Sequence, residues 1–68
     1  MSYFEVKTHE EIIEDIYDNV REGYDAKIPM INYASFLYEK NKKEKLTIND
    51  WLTRINLEIE LRRVKDGL

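Results

Sequence analysis

Apolar residues recur every three or four positions in three stretches of this chain, and that spacing predicts three helices. In the first stretch, Thr8 and Glu11 match the capping-box pattern of a helix start, and Gly23 suits the left-handed position that ends a helix. The apolar stripe between them consists of Ile12, Ile13, Ile16, Tyr17, Val20 and Tyr24. The first predicted helix therefore spans about residues 9–23.

The second and third predicted helices begin near a proline and a threonine. Pro29 suits the first turn of a helix, because its missing N–H loses no hydrogen bond there, and a wide apolar stripe follows it. Thr47 is a good N-cap residue, with Asp50 in place of the usual Glu of a capping box. No Gly or Pro interrupts the chain from there until its last two residues. We predict helices over about 29–41 and 48–66.

Residues 55–61 alternate apolar and polar side chains, a pattern typical of a strand with one buried face. Paired with the weakly alternating residues 2–7, they would give an α+β alternative. The charge pattern favours a helix, because Glu58 precedes Arg62 by four positions, the spacing of a favourable ion pair within a helix. Leu, Glu and Arg are also good helix formers, whereas a strand would contain more Val, Thr and aromatic residues.

The length of 68 residues fits one small domain spanning residues 1–68. We predict an all-α, three-helix domain in which residues 1–7 form an extended N-terminal arm lying on the helices. A domain of this size buries little surface, and this one has no Cys for a disulfide. Its remaining means of stabilisation are tight helix packing and association with another chain.

A helix over residues 48–66 has apolar side chains on two opposite faces. The first face, predicted to lie in the core, consists of Ile48, Trp51, Leu52, Ile55 and Ile59. The second face, called here the outer stripe, consists of Leu57, Leu61, Val64 and Leu68. Its 4-3-4 spacing is the heptad spacing of a coiled-coil seam. Either Phe4, Val6 and Phe36 cover the outer stripe within one chain, or the stripe is the interface for a homodimer or a partner protein.

The net charge of −3 is unevenly distributed, because residues 1–25 carry eight acids and only two bases. Six carboxylates occupy the polar face of the first helix: Glu10, Glu11, Glu14, Asp15, Asp18 and Glu22. The plainer interpretation is a solvated face that keeps the protein soluble. The functional interpretation is an acidic docking face for a basic partner protein.

A small DNA-binding transcriptional regulator is the alternative function. Helix 48–66 would then be the recognition helix of a helix-turn-helix arrangement. Its candidate nucleic-acid contacts are Arg54, Arg62, Arg63, Lys42 and Lys43. Two features weigh against this alternative: the connection between the second and third helices is longer than the usual three or four residues, and the chain lacks a basic footprint.

Catalytic patterns are missing from the sequence. With no Cys, a single His and no Gly-rich phosphate loop, we predict no enzyme activity, no cofactor, no metal site and no small-molecule substrate. His9 is expected to be a solvent-exposed residue at a helix start. Carboxylates on a helix surface present a hard cation poorly, so a cation site on the acidic face is not expected.

No apolar run approaches the about 20 residues that cross a bilayer, and no signal-peptide pattern is present, so we expect a cytoplasmic protein without membrane contact. The Lys-, Ile-, Asn- and Tyr-rich composition resembles that of accessory proteins of low-GC bacteria, their phages and mobile elements. The expected function is a non-enzymatic protein–protein interaction module, acting as a homodimer or as a binder or inhibitor of a host or partner protein.

Overall fold

A computed structural model describes residues 3–67, and the regular elements in that range are helices. They are α1 (Tyr3–Val6), α2 (His9–Arg21), α3 (Lys27–Lys40), a 3₁₀ turn (Lys42–Glu44) and α4 (Ile48–Asp66). The predicted all-α class is therefore confirmed. The α+β alternative is wrong, because residues 55–61 lie inside α4 and no strand is present within residues 3–67.

α2 and α4 begin at the two predicted threonines, and both starts are closed by complete capping boxes. The Thr8 hydroxyl accepts the Glu11 N–H at 3.2 Å, and the Glu11 carboxylate accepts the Thr8 N–H at 3.1 Å. Thr47 and Asp50 form the same reciprocal pair at 3.1 and 2.9 Å. The backbone hydrogen bonds favour the charged carboxylates, so they lower the pKa of Glu11 and of Asp50.

α2 ends where Gly23 takes the left-handed conformation, with φ of 89°. The Gly23 N–H donates to the Val20 carbonyl at 3.1 Å, and the Tyr24 N–H donates to the Asn19 carbonyl at 2.9 Å. These two bonds form a Schellman motif and satisfy carbonyls that a helix end leaves unpaired. Gly23 therefore stops α2 as predicted.

α3 begins at Lys27, two residues before its predicted start at Pro29. The Asp25 carboxylate accepts the Lys27 N–H at 3.0 Å and caps the helix from two positions upstream. Pro29 becomes the third residue of α3, which is still within the first turn, where no intrahelical N–H bond is lost. The proline thus indicates the first turn of this helix without indicating its first residue.

The predicted extended arm is wrong in conformation, because Tyr3–Val6 form a single helical turn. Phe4 still packs on the core as expected, with its ring centroid 5.1 Å from that of Tyr33 and 5.4 Å from that of Phe36. Val6 is 61% exposed. The helical turn explains this difference, because two positions along a helix correspond to about 200° of rotation. Phe4 and Val6 therefore lie on nearly opposite sides of the turn.

The core lies where α2, α3 and α4 meet. Its buried side chains are Ile12, Ile13, Ile16, Tyr17, Ala26, Met30, Tyr33, Ala34, Trp51, Ile55 and Ile59. α2 and α4 run in the same direction, since His9 contacts Glu58 and, two turns later in both helices, Tyr17 contacts Asp66. α3 packs mainly against α4, to which the short segment 41–47 joins it. Most of the predicted core face of α4 is therefore confirmed, although Ile48 is 40% exposed.

Candidate interaction surface

The three described members of the outer stripe face solvent. Leu57 is 61% exposed, Leu61 is 60% exposed and Val64 is 60% exposed. The fourth member, Leu68, lies outside the described residues. Of the side chains proposed as a cover within the chain, Phe4 and Phe36 pack against Tyr33 and each other. The rest of residues 3–67 thus leaves the stripe uncovered.

The contacts of α2 fix the orientation of the outer stripe. Glu58, Arg62 and Asp66 of α4 all contact side chains of α2, so they mark the side of α4 that faces α2. Successive helical residues rotate by about 100°, so Leu57 and Val64 point well away from that side. Ile55 and Ile59 point into the core. The outer stripe therefore occupies the solvent side of α4.

Charged side chains flank the outer stripe on both sides. Helical geometry puts Glu58 and Lys65 on the flank nearer α2 and Glu60 on the other flank, with Arg63 on the same side as Glu60 but farther from the stripe. Glu60 and Arg63 form an ion pair within the helix at 3.3 Å, with both side chains more than half exposed. On each flank the acid comes before the base along the chain.

Arg62 binds two carboxylates of the acidic face on α2. Its guanidinium donates to Glu14 at 2.7 Å and to Glu10 at 2.5 Å. The Glu14 hydrogen bond is the largest effect that raises the pKa of Arg62. The Arg62 side chain is only 18% exposed, although both carboxylates remain largely in water. The acidic face is thus joined to α4 by a cation from the same chain.

Three of the other four acidic-face residues also have side-chain contacts within the chain. Glu11 belongs to the capping box of α2, and Asp18 pairs with Arg21 at 2.9 Å. Asp15 accepts a hydrogen bond from the Tyr3 hydroxyl, and this bond is the main cause that raises the pKa of Tyr3 to about 12. Glu22 is the C-cap residue of α2. Three cations of the chain pair with four of these six carboxylates, so the face keeps a net negative charge while most of its side chains already have a partner.

A surface groove of about 400 Å³ lies between α2 and α4. Its walls are formed by Glu10, Glu14, Tyr17, Arg21, Leu61, Arg62, Lys65 and Asp66. Several of these charges already satisfy one another, since Arg62 binds both glutamates and Arg21 lies 3.8 Å from Asp66. Tyr17 donates to Asp66 at 2.7 Å, which raises the pKa of Tyr17. The groove therefore presents no concentrated charge of one sign to a ligand.

His9 joins the three long helices, which the sequence did not indicate. Its Nδ1 atom lies 2.6 Å from the Tyr33 hydroxyl oxygen, and its Nε2 atom lies 2.7 Å from the Glu58 carboxylate. If Nε2–H donates to Glu58, Nδ1 accepts the Tyr33 hydroxyl, so one neutral tautomer satisfies both contacts. His9 is 42% exposed at the side chain, as expected of a helix start.

The Glu58–His9–Tyr33 chain has the order of an acid–base relay, but its geometry is structural. Tyr33 is only 2% exposed, so a substrate has no access to its hydroxyl. Burial is the main cause that raises the pKa of Tyr33 to about 12, so the hydroxyl keeps its proton at neutral pH. A protonated, buried phenol is a poor nucleophile. We therefore interpret the cluster as a clamp between helices.

The candidate nucleic-acid residues are dispersed and mostly engaged. Arg54 lies over the Trp51 ring at 5.0 Å, and Lys42 pairs with Glu39 at 3.2 Å. Arg62 and Arg63 have the ion pairs given above, and Lys43 is exposed on the 3₁₀ turn. Arg62 lies eight positions after Arg54, which is about 12 Å along the axis of α4. The arrangement does not gather these cations into one patch.

Within residues 3–67, no group of three or more His, Cys, Asp or Glu side chains is placed to hold a metal ion. In the same range, each helix is too short or too polar to cross a lipid bilayer. No protein-family model matches this chain, and neither a curated protein nor a solved structure matches it.

Proposed function

We propose that this protein is a non-enzymatic interaction module that binds another protein chain through the outer stripe. The observation that carries the proposal is the exposure of Leu57, Leu61 and Val64, each about 60%, on one face of a helix at heptad spacing. Scattered apolar residues on a surface need no explanation, but a row at coiled-coil spacing has the form of a helix-binding seam.

The energetics support a modest affinity. Fully burying a Leu or Val side chain is worth about 1.5–3 kcal/mol, so covering three that are about 60% exposed would contribute about 3–5 kcal/mol from this chain. The partner's apolar surface adds a comparable amount. Association itself costs about 4–15 kcal/mol in lost freedom of motion. The complex should therefore form and dissociate with concentration.

The ion pairs favour this function over DNA binding. Arg62 and Arg63 already pair with carboxylates of the same chain, and Arg54 stacks on Trp51. DNA binding would require these cations to leave their partners for phosphates, and the net charge of −3 opposes the approach of a polyanion. For the same reason, the engaged carboxylates of α2 make a weaker docking surface than the outer stripe.

An interaction module of this kind acts by occupancy, because it covers or bridges a surface and catalyses nothing. The proposed location is the cytoplasm, and the proposed setting is that of a small accessory protein of a bacterium, phage or mobile element. Its partner is then either a second copy of the chain or a host protein whose surface the stripe covers.

The proposal is tested by placing charge on the outer stripe. Leu61→Glu combined with Val64→Glu should leave the helical circular dichroism spectrum unchanged, because both side chains point to solvent. The same variant should lose self-association in sedimentation equilibrium, or lose the proteins that the wild type captures from its own host.

A matched control introduces the same charges elsewhere. Tyr24→Glu with Ile28→Glu also replaces two exposed apolar side chains, 66% and 73% exposed, outside the outer stripe. This control should associate like the wild type. The proposal is overturned if the wild type and the stripe variant behave alike in both association and capture.

A further inference from the structure

We infer that the occupant of the outer stripe is a second copy of this chain, with the two α4 helices antiparallel across a two-fold axis. This inference rests on the proposed function and names its partner. It is carried by the charges beside the stripe and along its face, which are all complementary only when the two helices are antiparallel.

The flanking charges are arranged for an antiparallel pair. On each flank an acid precedes a base: Glu58 before Lys65, and Glu60 before Arg63. When two identical helices pack antiparallel, each flank meets the same flank of the other copy with its direction reversed. Acids then lie opposite bases on both sides of the seam.

The apolar positions fit the same register. Placing Leu61 opposite the partner's Val64 puts Val64 opposite the partner's Leu61 by symmetry. Glu60 and Arg63, which pair with each other in the single chain, then lie beside the partner's Arg63 and the partner's Glu60 and can exchange partners across the seam. Glu58 lies beside the partner's Lys65, and its carboxylate, which binds His9, stays 32% exposed and able to accept this second cation. A single register therefore aligns the apolar layers and the charged pairs together, which is what an isologous interface requires.

A parallel pair would also let Glu60 meet the partner's Lys65, but it would place like charges together along the stripe face itself. Continued toward the start of α4, the stripe face carries Arg54 and Asp50 at heptad positions. Parallel helices would put Arg54 against the partner's Arg54, and Asp50 against the partner's Asp50. In the antiparallel register both residues lie beyond the end of the partner's α4, which ends at Asp66. Parallel packing would also align the two helix dipoles, whereas antiparallel packing opposes them.

The size of the seam sets the expected strength of the dimer. From Leu57 to Val64 the stripe extends about 10 Å along α4. Such a seam buries less than the about 1,200 Å² at the lower limit of standard protein interfaces, so the dimer should be weak and reversible. Experiments therefore need protein concentrations that reach the high micromolar range.

Cysteine cross-linking tests the register, because the natural chain contains no Cys. Leu61→Cys and Val64→Cys variants are mixed in equal amounts and oxidised. The antiparallel register brings position 61 of one copy close to position 64 of the other, within reach of a disulfide. The mixed 61–64 product should therefore exceed either homodimer. Lys43→Cys, on the exposed 3₁₀ turn, gives the background of random collision.

A charge exchange tests the flanks independently. Glu60→Arg alone should weaken the dimer by about 3- to 10-fold, because two exposed attractive pairs become repulsive. Glu60→Arg combined with Arg63→Glu should restore the wild-type dissociation constant, since each flank remains self-complementary. Mixing this double variant with the wild type should give less heterodimer than either homodimer. Circular dichroism confirms that each variant is folded.

The outcomes separate the two proposals. If the 61–61 and 64–64 disulfides form in excess of the mixed 61–64 product, the dimer is parallel. This result overturns the inference and leaves the proposed function intact. A wild type that stays monomeric at high micromolar concentration, yet binds another protein through the stripe, also overturns only the inference. A wild type that does neither overturns both.

Discussion

The two faces of α4 contain the same kinds of side chain in opposite surroundings. Ile55 and Ile59 are 0% and 4% exposed, whereas Leu57 and Leu61, two positions away from each, are 61% and 60% exposed. Apolar character alone therefore does not decide burial in this helix. The deciding factor is which face α2 and α3 can reach, and three helices of this length cover only one side of α4.

The largest effect should come from truncating a buried side chain on the core face of α4. Ile55→Ala should lower the free energy of unfolding by about 2–5 kcal/mol, because a fully buried side chain is replaced by a cavity. Leu61→Ala should change it by less than about 0.5 kcal/mol at concentrations where the protein is monomeric. Chemical denaturation of both variants measures the contrast.

A domain of this size is only marginally stable, and a loss at the upper end of this range would leave too little folded protein to measure. Ile55→Val keeps the comparison accessible, with an expected loss of about 0.5–1.5 kcal/mol. Equal losses for Ile55→Val and Leu61→Ala would show that the two faces of α4 are energetically equivalent in the monomer, contrary to the structure.

A smaller effect is expected at the edge between the two faces. Arg62→Met keeps the apolar stem of the side chain but removes the ion pairs to Glu10 and Glu14, so it should lower the free energy of unfolding by about 1 kcal/mol. Arg63→Met removes only the exposed pair with Glu60 and should cost less than about 0.5 kcal/mol.

Salt distinguishes these two arginines further. The Arg62 side chain is 18% exposed and that of Arg63 is 58% exposed, so Arg62 is less accessible to screening ions. The difference between wild type and Arg62→Met should persist at high salt more than the difference for Arg63→Met. Identical losses for the two variants at every salt concentration would contradict the bridging role of Arg62.

The smallest effect should be a loss of stability in acid, through the capping boxes that start α2 and α4. The pKa values of Glu11 and Asp50 are lowered in the folded chain from ordinary values of 4.5 and 3.8. As pH falls, the unfolded chain therefore binds protons before the folded chain does. The stability that these carboxylates contribute is full above about pH 5 and is lost as the pH falls from the ordinary pKa values through the lowered ones. Denaturation at a series of pH values measures the slope.

Glu11→Gln with Asp50→Asn removes both titrations while keeping side-chain oxygens as acceptors. Stability of this double variant should fall less steeply in acid than that of the wild type. Glu44→Gln, on the 3₁₀ turn, leaves both boxes intact and serves as the control. An unchanged slope in the double variant would mean that the boxes do not contribute to acid sensitivity.

Features that depend on neighbouring residues could be predicted from the sequence. Thr8 and Thr47 were identified as caps because a capping box spans four consecutive residues, and Gly23 because its freedom at positive φ is intrinsic. The outer stripe was identified because heptad spacing is a local pattern. Whether Phe4, Val6 and Phe36 cover the stripe depends on contacts between distant residues, so its exposure to solvent became known only from the structure.

Features that depend on distant contacts could not be predicted. His9 and Glu58 are 49 positions apart, and neither position has a pattern that indicates the other. The turn at Tyr3–Val6 is four residues long, too short to be stable without the packing of Phe4 on α3. α3 begins two residues before its predicted start, where Asp25 accepts the Lys27 N–H from outside the apolar stripe and the sequence pattern gives no signal.

Trp51 gives the chain a natural optical probe of its folding. It is the single tryptophan, is 9% exposed and lies on the core face of α4, beneath the guanidinium of Arg54. Unfolding moves this indole from the core into water, so its emission should shift to longer wavelength. Binding at the outer stripe leaves its surroundings unchanged, so tryptophan emission reports folding and remains silent to association.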